Sequence, residues 1–108
     1  MIHYKGLQRC YINQIRSGEK RVEVRINDAN NSLISEGDYI FFEREIRVLV
    51  LRVEKYKTID ELFNSIDVNK ALPGKSVSEA KAIYEKLYKD RAKDLLEYGM
   101  TAIHIEVT

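Results

Sequence analysis

Between residues 21 and 26 charged and apolar side chains alternate one for one, with Arg21, Glu23 and Arg25 set against Val22, Val24 and Ile26. A period of two puts the two sets on opposite faces of a β-strand. Glu23 and Arg25 therefore share a face, and Lys20 joins them if the strand begins after it, in the turn made by Gly18. Upstream, Leu7, Cys10, Tyr11 and Ile15 recur at helical spacing, and Gly18 is placed to end that helix. Residues 2–5 suit a short strand. Residues 27–36 read as a polar loop with a small apolar anchor at Leu33 and Ile34. Strands are expected over 38–43 and 46–56, joined by a tight Glu43-Arg44-Glu45 turn. Val48-Leu49-Val50-Leu51 is apolar at every position, the pattern of a central strand covered on both faces.

Two later helices are marked by their caps. Thr58-Ile59-Asp60-Glu61 and Ser76-Val77-Ser78-Glu79 both have the Ser/Thr-x-x-Glu form, in which hydroxyl and carboxylate satisfy free N–H groups of the first turn. The first helix offers Ile59, Leu62, Phe63 and Ile66 to the core. The second offers Val77, Ala80, Tyr84, Leu87 and Tyr88, with Leu95 extending the stripe if the helix runs past Asp90. Leu72-Pro73-Gly74 between them holds the only proline and reads as a turn. Gly99 stops the helical region, and Ile103, Ile105 and Val107 form one face of a last strand. Strands in the first half, helices later and a returning terminal strand make an α+β domain.

A chain of 108 residues is the length of one domain, residues 1–108, with one core. Hydrophobic residues at 44% and charged residues at 32% describe a globular protein rather than a disordered one. No apolar run approaches the ~20 residues that span a bilayer, and the first residues lack the apolar stretch of a secretion signal. A lone Cys10 forms no internal disulfide, so the cytoplasm is the expected compartment. Cys10 itself lies on the helical apolar stripe and reads as a small core residue rather than a nucleophile. The net charge of +1 excludes a strongly basic nucleic-acid binder. Its distribution is uneven, because residues 1–25 carry six Lys and Arg against two Glu, leaving the remainder net negative. A positive end favours a polyanion at one face, although clustering on a solvated surface produces the same count.

Candidate chemistry centres on Lys20, Glu23 and Arg25. A carboxylate between two cations stays ionised, and the cations remain available to an anionic or carbonyl-bearing ligand. On spacing alone the plainer reading takes precedence: a strand whose charges alternate toward solvent. His3 and His104 have no partners at metal-ligand spacing, so neither a metal nor a cofactor is expected. His104 and Glu106 read as a surface pair. No glycine-rich phosphate loop and no Gly-x-Ser-x-Gly is present. Seven tyrosines are many for this length. Tyr84 and Tyr88, at i and i+4, read first as packing residues, and as base-stacking residues only if a ring reaches a cleft. Tyr56 carries the same ambiguity.

The spacing Gly18-x-Lys20-x-x-Glu23-x-Arg25, with the order of elements around it, resembles the signature of the ASCH domain, a branch of the PUA-like superfamily. The likeness covers roughly residues 4–107 and is closest to small single-domain archaeal and bacterial proteins. It implies a mostly antiparallel PUA-like β pseudo-barrel with flanking helices, and a cleft between the signature strand and the helix that begins near Ser76.

For function, the resemblance implies recognition of RNA or a nucleoside-type ligand. Lys20 and Arg25 would donate to phosphate or base carbonyl, and Glu23 would accept from an exocyclic amine or hold Arg25. Arg16 and Arg21 would add long-range attraction, and Tyr84 a stacking surface. Some short ASCH proteins are instead amidohydrolases acting on acetylated cytidine, with a Lys, a Thr at the position of Glu23 and a Glu before the C-terminal helix. Here Lys20 is kept, but Glu23 replaces the hydroxyl and Leu72-Pro73-Gly74-Lys75 holds no carboxylate. As an enzyme the chain would have to rely on Lys20 and Glu23, with Glu23 as general base on water. A third reading is an interaction module in which the three residues only brace the strand. Binding is the preferred expectation, with no membrane and no metal involved; the oligomeric state has no signal in the sequence.

Overall fold

The order of elements in the computed structural model, which describes all 108 residues, is β1 (Ile2–Lys5), α1 (Arg9–Ser17), β2 (Val22–Ile26), β3 (Tyr39–Phe42), β4 (Ile46–Tyr56), α2 (Ile59–Ser65), α3 (Val68–Ala71), α4 (Val77–Leu87), α5 (Ala92–Tyr98) and β5 (Met100–Val107). The strands form one mixed sheet in the order β1-β3-β4-β5-β2. Only β1 and β3 run parallel; the other three pairings are antiparallel. The sheet curls into a half-barrel, the α+β, PUA-like architecture that the sequence implied. β4 is its longest strand and lies at its centre, with a register shift against β5 between Val50 and Arg52.

The period-two alternation divides the interior in two. Val22, Val24 and Ile26 of β2 join Met100 and Ala102 of β5 against Leu62, Phe63, Ala71, Ala80 and Tyr84 from the helices. Ile103 and Ile105 of β5 face the other way, with Ile40, Phe42, Val48 and Val50, and are covered by Ile12 and Ile15 of α1. Both faces of β2 are thus buried, including Glu23. Burial overturns the solvated-strand reading: the charged face of β2 lies under α1 and the segment that leads into it.

Local signals explain the element ends. Gly18 caps α1 in the left-handed region, its N–H donating to the Ile15 carbonyl. Ser76 and Glu79 make the full reciprocal capping box, and Thr58 accepts from the Glu61 N–H, each cap contributing ~1 kcal/mol. Glu43 and Arg44 both have positive φ in the turn between β3 and β4, the backbone of a tight hairpin turn. Several apolar expectations fail where a stripe outruns its partner. Cys10 is exposed, because α1 buries only Ile12 and Ile15. Val77 and Leu87 lie at the ends of α4 and are exposed, as is Val107 beyond the core. Leu51 is exposed and Leu49 half-buried, so β4 is well covered on one face only. The polar loop contains a 3-10 turn at Asn31–Leu33, and α3 was not expected. A second 3-10 turn, Lys89–Arg91, breaks α4 from α5, so Leu95 reaches the core from a separate helix.

Gly99 joins α5 to β5 at φ 69°, and a Cβ there would stand 2.4 Å from the Tyr56 carbonyl oxygen. Backbone cannot yield as a side-chain tip can. Gly99→Ala is expected to lower stability by about 2–4 kcal/mol in denaturant unfolding, whereas Gly37→Ala, with open space around it, carries only the backbone strain of its positive φ and loses about 1 kcal/mol.

Candidate functional site

β2 is the last strand of the sheet, so one of its edges has no neighbouring strand. The Ile105 N–H donates to the Arg21 carbonyl and the Asn27 N–H to the Gly99 carbonyl. With Glu23 opposite Ile103 and Arg25 opposite Thr101, the odd-numbered residues bond to β5, and the main chain of Val22, Val24 and Ile26 points outward. Side chains meet the three outward carbonyls: Lys20 Nζ donates to Val22 at 2.8 Å, Asn31 Nδ2 to Ile26 at 2.9 Å, and the Tyr84 hydroxyl to Val24 at 3.4 Å.

Lys20, Glu23 and Arg25 converge beneath this edge. Lys20 is only 2% exposed and Glu23 4%. Lys20 Nζ donates to the Val22 and Ala71 carbonyls, the latter at 2.6 Å, and lies 3.2 Å from Glu23 Oε1. Its ammonium also stands 5.2 Å from the centroid of the Tyr11 ring, within cation–π range. Arg25 Nε and Nη2 sit 2.9 and 2.8 Å from Glu23 Oε2, and Nη2 also donates to the Gly6 carbonyl at 2.6 Å. Arg25 Nη1 has no internal partner.

Burial pushes the Glu23 carboxyl up, but Lys20 and Arg25 together outweigh it and hold the group below the ordinary glutamate range. Burial lowers the Lys20 ammonium, opposed by Glu23. These two directions pull against each other, since the first favours the ion pair and the second resists it. Geometry decides for the pair: two carbonyls and a carboxylate give acceptors to three protons, which only the charged ammonium supplies. Burial also raises Tyr84 well above its usual value, and raises Tyr88 and Tyr11, each with a contribution from Glu23. All three are neutral phenols at physiological pH.

Outside this edge lies a cleft of about 540 Å³, walled by Gly6, Gln8 and Tyr11 on one side and Tyr84, Tyr88 and Arg91 on the other, with Glu23–Ile26 between them. Its size is that of a small-ligand site. Tyr84 is braced from behind, its ring centroid 5.2 Å from Phe63 and 5.8 Å from Tyr88. Arg91 is held by Asp28 at 3.1 Å and Asp94 at 3.0 Å.

Of the residues singled out from sequence, Glu23, Arg25 and Tyr84 line this cleft, and Lys20 supports it from within. Arg16 and Arg21 do not reach it. They line a separate hollow of about 310 Å³ with Gly18, Leu51 and Glu106, which shares no wall residue with the cleft. Tyr56 packs against the helix-side core. His104 pairs with Glu54 across the sheet rather than with Glu106. No three His, Cys, Asp or Glu side chains are grouped to hold a metal ion, and no helix is long and apolar enough to cross a membrane.

The ASCH domain family matches residues 6–108. The chain belongs to the ASCH family. Among solved structures, this ASCH chain is similar over its whole length to the hypothetical protein PH0355, at 33% identity, full coverage of both chains and a TM-score of 0.92. It is similar also to protein PF0455 from Pyrococcus furiosus, at 30% identity, 99% coverage of this chain and 97% of that one, and a TM-score of 0.81. An ASCH domain from Lactobacillus crispatus JV V101 shares the fold at 11% identity and a TM-score of 0.67, over 97% of this chain and 79% of the other. No curated protein matches.

The ASCH cleft includes residues that the sequence did not single out as site residues: Tyr11, Asn31 and Arg91. Tyr11 was hidden in an apolar stripe, and Arg91 enters only through the break between α4 and α5. Asn31 stood in a polar loop with nothing to mark it.

Two outcomes follow from the ion triad. Lys20→Met leaves a buried carboxylate with one cation, and is expected to cost about 3–5 kcal/mol in denaturant unfolding. The depressed Glu23 carboxyl adds stability that is fully present above its unfolded value, about 4.3, and is lost as pH falls through the lower folded value. Chemical denaturation between pH 7 and pH 2 is therefore expected to show a shallower acid limb for Glu23→Gln than for the parent.

Proposed function

We propose that the cleft along the outer edge of β2 binds RNA or a nucleoside-derived ligand. One observation carries the reading: a half-buried guanidinium with a spare N–H group lies among three neutral tyrosines over an ionised carboxylate. Arg25 offers donors to a phosphate or base carbonyl. Tyr11 and Tyr88, partly buried in the walls, offer ring faces for stacking. Glu23 keeps lone pairs for an exocyclic amine, and Lys20 acts through Glu23 rather than on the ligand. Arg16 and Arg21, outside the cleft, attract a polyanion at longer range. A cytoplasmic RNA pool is the partner this reading implies.

Hydrolysis of acetylated cytidine finds less support. A lysine acting as base needs a free lone pair, and each Lys20 proton has an internal acceptor. Residues 72–75 carry no carboxylate. Bracing of the strand is compatible with binding, since Lys20 ties β2 to α3 and Arg25 ties it to Gly6.

The test is fluorescence anisotropy of short single-stranded RNAs across a salt series. Arg25→Ala is expected to weaken binding about tenfold or more, the worth of one charge-assisted contact. Arg21→Ala is expected to reduce the salt slope with a smaller loss of affinity. Unchanged affinity in Arg25→Ala, with the fold intact by circular dichroism, refutes the assignment. Release of cytidine from acetylcytidine, abolished in Glu23→Ala, would establish the hydrolase in its place.

A further inference from the structure

The outward edge of β2 carries donors as well as acceptors. In an extended residue the N–H and C=O point to the same side, so the N–H groups of Val24 and Ile26 face outward with their carbonyls. Neither finds an acceptor on the protein: β5 takes the odd-numbered residues, and no loop or side-chain oxygen reaches them. Both residues are almost fully buried and line the cleft. Buried N–H groups without partners are rare in folded proteins, and a cleft is where a ligand satisfies them.

The three positions along the edge are not equivalent. The Val22 and Ile26 carbonyls are held by Lys20 and Asn31 at ordinary hydrogen-bond lengths. The Val24 carbonyl has only the Tyr84 hydroxyl at 3.4 Å, well beyond the ~2.8 Å usual for such a bond. Val24 alone therefore offers a free donor and a weakly held acceptor side by side. Next to it, toward the Ile26 end, stands a further donor, the Ile26 N–H, and an unpartnered acceptor, Asn31 Oδ1 on a side chain more than nine-tenths buried.

We infer that Val24 reads a nucleobase through its main chain, its N–H donating to a ring acceptor and its C=O accepting from the adjoining ring or exocyclic N–H. The inference rests on the proposed nucleoside-binding role of the cleft and assigns the group that recognises the base. The pattern suits an amide or amidine edge, where acceptor and donor are neighbours, as on the pairing edges of the common bases. A phosphate supplies acceptors only and would meet the Val24 carbonyl and the Glu23 carboxylate with repulsion. An added peptide strand needs a run of open carbonyls and N–H groups, and Lys20 and Asn31 have closed the carbonyls at both ends. Tyrosine rings on either side suit a flat heterocycle.

The experiment is a titration of the ¹⁵N-labelled full chain with the four ribonucleoside 5′-monophosphates, ribose 5-phosphate, and nucleotides methylated at the pairing-edge ring nitrogen. The Val24 and Ile26 amide protons are expected to move downfield, more than any other amides, with at least one unmodified nucleotide and not with ribose 5-phosphate. Ring methylation is expected to weaken binding about tenfold, the order of one lost hydrogen bond in a closed site. An amide-to-ester exchange at Val24, which removes the N–H and keeps the side chain, is expected to do the same while the remaining spectrum stays dispersed. Nucleotide binding that shifts Arg25 and Tyr88 but leaves the Val24 and Ile26 amides in place would overturn the main-chain reading and spare the cleft. Nucleotides and RNA that shift no cleft signal would overturn both. Shifts at Val24 from an extended peptide, absent with every nucleotide, would replace base reading with strand addition.

Discussion

A single carboxylate with a cation on each side holds the arrangement together. Glu23 could not remain ionised inside the half-barrel without Lys20 and Arg25, and neither cation would sit where it does without Glu23. Through its cations the group reaches outward in two directions, to the Ala71 carbonyl at the end of α3 and to the Gly6 carbonyl where β1 gives way to α1. Buried ion pairs return little net stability, because dehydrating the charges offsets most of the attraction. Their contribution here is positional: the helix layer, the outer strand and the entry to α1 share one fixed point.

The same arrangement separates two tasks that a surface cluster would merge. Lys20 has no proton left for a ligand, and together with Arg25 it keeps Glu23 ionised from an almost fully buried position. Arg25 is half committed, with Nε and Nη2 on internal acceptors. The aromatic walls are neutral and firm, since Tyr84 leans on Phe63 and Tyr88 leans on Tyr84. Screening by salt acts on the exposed Arg16 and Arg21 far more than on the sealed triad. The exposed cations and the aromatic cleft therefore belong to different surfaces of the molecule.

Much of this was legible in the residues. Alternation over 21–26 defined β2, and the Ser/Thr-x-x-Glu patterns located the starts of α2 and α4. The Gly18-to-Arg25 spacing brought the family, and with it the half-barrel. Burial was less legible. Charge alternation says which residues share a face, not whether the face meets water, and Glu23 became a buried group because α1 folds across it. Cys10 failed for the converse reason: helical spacing marks a stripe, and the sheet covered only the part of it holding Ile12 and Ile15. Tyr11, Asn31 and Arg91 meet from three separate elements with no periodicity joining them. Lys20 looked like a ligand-binding cation because nothing local foretells that the Ala71 carbonyl, fifty-one residues on, will accept from it.

The strand order has a consequence for how the protein comes into being. β5 is the only strand that pairs with β2, so the second strand has no neighbour until residues 100–104 are made. Such long-range pairing is slow and leaves early segments unpaired during synthesis. Until residues 100–105 are available, β2 has no partner strand, whereas α1 already has Ile40, Phe42, Val48 and Val50 to rest on. The groove in this protein thus depends on two segments some eighty residues apart, and it exists only once β5 has docked on β2.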